Sequence, residues 1–177
     1  MANLWDRYRE CTAKGLPGIP RDELLGYLEE AAAALDRLQF QRLQHLDIKP
    51  ANLLLEKGRV RIANEDLVTD LIGMVGTVST GATPAYAAPE TFEGRITPYT
   101  DQYSLAITYM ELLTGARPFK AGSIQEIVTQ RRTGQPDLSP LPDLDQRALA
   151  RALATDPERR FPTCADLVRA LRTPGKG

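Results

Sequence analysis

Apolar residues recur at helical spacing over most of the chain, and this pattern predicts a protein built mainly from helices. The predicted helices cover residues 3–13, 21–44, 100–113, 123–132, 143–154 and 163–171. The run from Thr100 to Leu113 is apolar on nearly all sides, which is typical of a helix buried at the centre of a domain. Gly115 follows it at the position where a glycine commonly ends a helix.

A small β-hairpin and a long loop interrupt the helices in the middle of the chain. Two short apolar runs, residues 53–55 and 60–62, flank a turn that contains Gly58, and this arrangement predicts the hairpin. Residues 64–88 are rich in Gly, Thr, Ser and Ala without a regular period, so we expect a long loop that is functional or disordered. The predicted fold class is therefore mainly α with a small β-hairpin, in a single domain over residues 1–177.

The composition excludes several classes of function. The chain has 177 residues, of which 42% are apolar and 25% charged, and these values are ordinary for a soluble globular domain. A formal net charge of −1 gives no field that attracts nucleic acid or an anionic membrane. No apolar stretch approaches the roughly 20 residues that span a bilayer, and no signal-peptide core is present. Cys11 and Cys164 lack metal-ligand spacing and are expected to be reduced thiols in a cytoplasmic protein.

The segment from His45 to Asn52 lies between a helix and a strand and concentrates three chemically useful side chains. The carboxylate of Asp47 can accept a hydroxyl proton, the amine of Lys49 can neutralise a phosphoryl group, and the amide oxygen of Asn52 can ligate Mg²⁺. Phosphoryl transfer requires these parts, because its catalysis is mainly positioning and charge stabilisation. On composition alone, a polar turn without chemistry is the commoner explanation of such residues.

The same segment resembles the catalytic loop of protein kinases, H-R-D-x-x-x-x-N. His45, Asp47 and Asn52 match that pattern at the right spacing, and the resemblance gives His45 a structural role. Lys49-Pro50 resembles the version of the loop found in Ser/Thr kinases. The residue sequences of these motifs are most similar to those of bacterial, Hanks-type Ser/Thr kinases. The resemblance covers nearly the whole chain.

The resemblance also implies roles for residues further along the chain. The family signature A-P-E ends at Glu90, and Arg160 is the arginine implied to pair with it in a partly buried ion pair. Asp101 resembles the aspartate that hydrogen-bonds the catalytic-loop backbone. Thr83 lies in the implied substrate-docking segment, where it is expected to contact Asp47 and the neighbouring lysine.

The chain departs from the family pattern at three places. It resembles only the C-terminal lobe of the kinase fold, since it has no glycine-rich phosphate loop and no V-A-I-K lysine, and the N-terminal lobe is expected to be absent. The D-F-G position reads Asn64-Glu65-Asp66, so the metal-binding aspartate is replaced by Asn64, a weak ligand. Leu46 replaces the arginine that pairs with a phosphorylated loop. The resemblance implies that Leu54 forms the floor under an adenine ring, but a role as a plain core leucine is the favoured interpretation.

Two functions of different classes are consistent with this pattern. The first is a pseudokinase-type module that is catalytically impaired, needs no cofactor, and binds either a protein partner or a separate kinase N-terminal lobe. The alternative is a Ser/Thr protein kinase that uses Mg-ATP and whose N-terminal lobe comes from another chain or was removed. In that case Asp47 orients the substrate hydroxyl, Lys49 steadies the γ-phosphate, and Asn52 holds Mg²⁺. Neither function predicts a nucleic-acid or membrane partner, and a gene remnant without a selected role is a third hypothesis.

Overall fold

The computed structural model describes residues 1–63, 69–70, 83–120 and 122–173. Six α-helices lie within these ranges, and each corresponds to a predicted helix. They are α1 (Leu4–Ala13), α2 (Arg21–Phe40), α3 (Thr100–Thr114), α4 (Ile124–Thr133), α5 (Asp143–Ala152) and α6 (Cys164–Arg172). The prediction of a mainly helical domain is confirmed.

The second helix ends earlier than predicted. α2 stops at Phe40, and Arg42 has a left-handed backbone with φ of +62°. The chain then forms a short strand, β2 (Leu43–Gln44), which pairs antiparallel with β5 (Thr69–Asp70). The second residue of β2 is buried, and its side-chain oxygen accepts a hydrogen bond from the amide of Asp101 at 3.0 Å. The predicted continuation of the helix to residue 44 is therefore wrong, because residues 43–44 pair as a strand and their backbone is extended.

A three-stranded antiparallel sheet contains the predicted hairpin. Its strand order is β1–β3–β4, with β1 at Ala2–Asn3, β3 at Leu53–Glu56 and β4 at Arg59–Ile62. Lys57 and Gly58 connect β3 to β4 with φ of +52° and +78°, as a two-residue type I′ turn requires at both central positions. β1 was not predicted, because two residues are too few to show a period.

The helix α3 is the buried axis of the domain, as the sequence predicts. Its side chains are buried from Thr100 to Leu112, and α1, α2, α5 and α6 pack around it. Gly115, with φ of +74°, ends the helix. The backbone of Gly18 approaches α3 so closely that a Cβ atom would lie 2.4 Å from the carbonyl oxygen of Leu112. Only glycine fits there without a displacement of the helix.

Candidate active site

The catalytic-loop segment, residues 45–52, is held at its start by a buried carboxylate. The amides of His45 and Leu46 donate hydrogen bonds to the two oxygens of Asp101 at 2.6 and 2.8 Å. Leu46 has φ of +66°, a left-handed conformation that is unfavourable for a residue other than glycine. Because this conformation directs two successive amides at one carboxylate, Asp101 stabilises a loop shape that the backbone disfavours. The contact has the geometry that the family resemblance implies.

The environment of Asp101 combines burial with good hydrogen bonding. Its side chain is in the first turn of α3, where the helix dipole favours a negative charge, and the residue is 2% exposed. Burial raises the pKa of the Asp101 carboxyl, whereas the two amide hydrogen bonds oppose that shift. Loss of this carboxylate would therefore leave the amides of His45 and Leu46 without their acceptor.

His45 ties the catalytic loop to the end of β4. Its Nε2 lies 2.6 Å from the carbonyl oxygen of Ala63, and its Nδ1 accepts a hydrogen bond from the amide of Asp47 at 3.3 Å. An N–H donor facing Nδ1 and a carbonyl facing Nε2 select the neutral tautomer with its proton on Nε2. The ring is buried, so His45 fixes the distance between the loop and the hairpin.

The carboxylate of Asp47 receives hydrogen bonds from three side chains. Nδ2 of Asn52 donates to Oδ2 of Asp47 and to its backbone oxygen, each at 2.7 Å. Nζ of Lys49 lies 2.9 Å from the same Oδ2. On the other oxygen, Thr83 donates its hydroxyl at 2.9 Å and its amide at 3.1 Å. The Lys49 amine also donates to the Thr83 hydroxyl at 2.6 Å, which closes a ring of three side chains.

This network keeps Asp47 ionised and oriented. Burial by itself raises the pKa of the Asp47 carboxyl, but the hydrogen bonds from its three neighbours together hold the pKa below its usual value. The side chains of Asp47 and Lys49 remain 23% and 25% exposed. A charged carboxylate with an accessible edge can accept a hydrogen bond from a Ser or Thr hydroxyl of a second polypeptide.

The docking segment, residues 83–87, is fixed by side chains from α3 and α4. Oγ of Ser104 donates to the carbonyl oxygen of Tyr86 at 2.8 Å. The hydroxyl of Tyr86 in turn donates to Oε2 of Glu111 at 2.5 Å. The guanidinium of Arg131 donates to two backbone carbonyl oxygens of the same segment. The segment is therefore held along its length, and not only by its contact with the catalytic loop.

Three of these anchoring residues were missed by sequence reasoning. Ser104 and Glu111 are buried polar residues in the apolar helix α3, and this combination was the available signal, since buried polar groups have partners. Arg131 gave no such signal, because the backbone carbonyls that it contacts are 44 and 46 positions away in the sequence.

The docking segment is followed by a buried ion pair. Nη1 and Nη2 of Arg160 donate to Oε1 and Oε2 of Glu90, each at 2.8 Å. The pair was expected to be partly buried, but the two side chains are 0% and 1% exposed, so that expectation is corrected. Full burial is tolerated because Thr100 donates a further hydrogen bond to Glu90 at 2.9 Å and the ring of Tyr103 lies 4.8 Å from the guanidinium.

Comparison with known proteins decides the family. Residues 3–171 match a family model described as the protein kinase domain. This chain belongs to the protein kinase domain family. It is 34% identical over 171 residues to the serine/threonine-protein kinase PknF of Mycobacterium tuberculosis, covering 87% of the chain and 35% of that protein. It is 37% identical over 160 residues to PknJ of the same organism, covering 80% of the chain and 26% of that serine/threonine-protein kinase.

A further relative supports the bacterial character of this kinase domain. The serine/threonine-protein kinase PkaA of Streptomyces coelicolor is 35% identical over 156 residues, covering 84% of the chain and 28% of that protein. The predicted membership of a bacterial, Hanks-type family is thereby confirmed, and the chain spans about a third, or less, of the length of these relatives. None of the helices among the described residues combines the length and the hydrophobicity that a membrane span requires.

Leu54 of the kinase domain does not occupy a plain core position. Leu53 is fully buried and belongs to the apolar core, whereas Leu54 lies on the opposite face of β3, is half-buried and is not part of that core. It pairs with Asn3 on one side and with Arg61 on the other. The core role therefore belongs to Leu53, and the role of Leu54 as the floor under an adenine ring stays a prediction.

The described residues do not make up a complete magnesium site for Mg-ATP. Oδ1 of Asn52 accepts no hydrogen bond within the described ranges, and this oxygen could ligate a cation. Those ranges contain no cluster of three or more His, Cys, Asp or Glu that could hold a metal. The other predicted ligand, Asn64, lies outside the described residues. Mg²⁺ is usually bound through one or two carboxylates, and Asp47 is engaged by its neighbours, so the described residues alone do not hold the ion of Mg-ATP.

Proposed function

We propose that this chain is a pseudokinase-type module, in which a kinase-like C-terminal lobe binds protein and is impaired in phosphoryl transfer. The observation that carries the proposal is a difference between two parts of the site. The docking segment is anchored at Thr83 and Tyr86 and is followed by the buried pair of Glu90, whereas the described residues offer Mg²⁺ only the amide oxygen of Asn52. A site whose docking segment is firmly anchored, but whose described residues offer few metal ligands, is suited to recognising a polypeptide.

The impairment rests on the residue at the metal-binding position. The family motif D-F-G places an aspartate there, and this chain has Asn64. A neutral amide cannot fully replace a carboxylate, whose charge on bound Mg²⁺ contributes several kcal/mol to the stabilisation of a phosphoryl group. We therefore propose that the module acts without a bound cofactor.

The partner that we propose is a protein. The docking segment and the exposed edge of Asp47 suit an extended polypeptide with a Ser or Thr hydroxyl, and a kinase N-terminal lobe on a separate chain is a second possible partner. A net charge of −1 supports neither nucleic acid nor a membrane as partner. The buried free thiols of Cys11 and Cys164 support a cytoplasmic location.

A thermal unfolding experiment tests the impairment. The midpoint of the chain is measured with millimolar ATP in the presence of Mg²⁺ and again with the metal chelated. A ligand at 100 times its dissociation constant stabilises the folded state by about 2.7 kcal/mol. For a domain of this size that corresponds to a shift of roughly 5–10 °C. We expect no magnesium-dependent shift, and a clear one would count against the proposal.

The alternative function is a Ser/Thr protein kinase that transfers the γ-phosphate of ATP to protein. The observation that favours it is the assembled ring of Asp47, Lys49 and Thr83, with Asn52 attached to the same carboxylate. The names of the relatives agree with this alternative. It predicts transfer of labelled phosphate once a kinase N-terminal lobe is supplied, and complete loss of that transfer in Asp47→Asn.

A further inference from the structure

Arg131 of α4 is buried, although no carboxylate pairs with it within the described ranges. It is 3% exposed, whereas the side chain of the next residue, Arg132, is 60% exposed. Burial lowers the pKa of the Arg131 guanidinium, but arginine keeps its charge in proteins. A buried charge without a counter-ion is unfavourable unless its surroundings compensate.

The compensation comes from two carbonyl groups and two aromatic rings. Nη2 of Arg131 donates to the carbonyl oxygen of Ala85 at 2.6 Å, and its Nε donates to that of Ala87 at 3.3 Å. The guanidinium carbon lies 4.2 Å from the ring centre of Phe119 and 5.6 Å from that of Tyr103. Two rings within about 6 Å of a cation stabilise it through their quadrupoles. Among the described residues, the hydrogen bonds of Arg131 are thus all made with the docking segment.

We infer that Arg131 is a positioning residue, which couples α4 to the docking segment and sets the backbone shape that this segment presents to a protein partner. Its two acceptors lie on either side of Tyr86, whose own carbonyl and hydroxyl are held by α3. Three consecutive residues are therefore fixed by side chains from two helices. The inference deepens the proposed function. It rests on that function in one respect, because the expected consequence of the positioning is the affinity for a protein partner.

The ring of Tyr103 connects this contact with the buried ion pair. It lies 5.6 Å from the guanidinium carbon of Arg131 and 4.8 Å from that of Arg160. One arginine holds the docking segment and the other holds Glu90, three residues beyond it. A displacement of α4 would therefore change both the docking segment and the packing around its anchor.

The test compares Arg131→Met with Arg132→Met by amide hydrogen exchange of the full chain. Methionine has a similar length but no donor, so Arg131→Met leaves the carbonyls of Ala85 and Ala87 without their partner. The reporters are the amides of Tyr86 and Ala87, which donate within the segment at 3.0 and 3.2 Å. In Arg131→Met we expect these two amides to exchange at least about tenfold faster, a ratio matching the loss of one charge-assisted hydrogen bond.

The reference amides lie in α2, where exchange is expected to stay unchanged in both variants. Arg132→Met serves as the matched control, because its arginine is exposed and 3.9 Å from its only nearby carboxylate among the described residues, Glu93. Unchanged exchange at residues 86–87 in Arg131→Met, or an equal increase in α2, would overturn the inference.

Arg131→Lys keeps the test decisive if Arg131→Met fails to fold. Lysine retains the charge and can reach one carbonyl but not both in the geometry of a guanidinium. We expect a smaller acceleration that is confined to residues 86–87, and an absence of that local effect would overturn the inference. Because the measurement uses neither nucleotide nor phosphate transfer, its result stands whether the proposed impairment is upheld or refuted.

Discussion

Thr83 donates both its hydroxyl and its backbone amide to the same oxygen of Asp47, at 2.9 and 3.1 Å. The two residues are 36 positions apart, so the contact joins the catalytic loop to the docking segment. It leaves the second carboxylate oxygen to Lys49 and Asn52. The contact therefore links the two segments to which the proposed function assigns the recognition of a polypeptide.

Removal of the Thr83 hydroxyl should alter the ionisation of Asp47. In Thr83→Val the carboxylate loses one of the three side-chain hydrogen bonds that lower its pKa, so we expect that pKa to rise towards its usual value. Thr83→Ser keeps the hydroxyl and is the matched control. An NMR titration of the Asp47 carboxyl measures the change, and equal pKa values in the two variants would contradict the account.

The stability of the chain should depend on pH through Asp47. The pKa of this carboxyl is lower in the folded state than the roughly 3.9 of an unfolded chain. Its contribution is therefore fully present above about pH 4 and is lost as the pH falls through the folded-state pKa. We expect the difference in unfolding free energy between the wild type and Asp47→Asn to shrink on acidification. Denaturant titrations from pH 6 down to pH 2 would show it, and a pH-independent difference would be inconsistent with this ionisation.

The buried pair of Glu90 and Arg160 should be far more sensitive to substitution than a surface pair. Glu90→Gln leaves a buried guanidinium without its counter-ion, and we expect a loss of about 3–5 kcal/mol in unfolding free energy. Glu93→Gln is the matched control, because its partner Arg95 is 61% exposed and such pairs contribute about 0–1 kcal/mol. Equal effects in urea unfolding would refute the bracing role.

Most of the fold could be predicted because the apolar spacing of the helices survives in the tertiary structure. The turn at Lys57 and Gly58 was likewise signalled by a glycine between two apolar runs. The end of α2 could not be predicted, because the residues that follow it pair as a strand with the distant residues 69–70. Local propensity is overridden where such a contact decides the backbone.

The residues of the candidate site likewise include some that the sequence could place and some that it could not. Asp47 and Asn52 could be placed from a motif whose spacing is local, and Asp101 and Arg160 from the resemblance to a family. The full burial of the Glu90 pair could not be foreseen, since it depends on Thr100 and on the ring of Tyr103. The role of Arg131 could not be predicted either, because only the fold brings its carbonyl acceptors to α4.

The central claim is that the chain recognises protein but is impaired in phosphoryl transfer. Its most direct test is transfer of labelled phosphate from Mg-ATP to a Ser/Thr protein substrate, with a kinase N-terminal lobe supplied as a second polypeptide. Wild type is compared with Asp47→Asn, which lacks the carboxylate, and with Asn64→Asp, which restores the family residue. We predict that the wild type transfers no more phosphate than Asp47→Asn. Transfer by the wild type that disappears in Asp47→Asn would contradict the account.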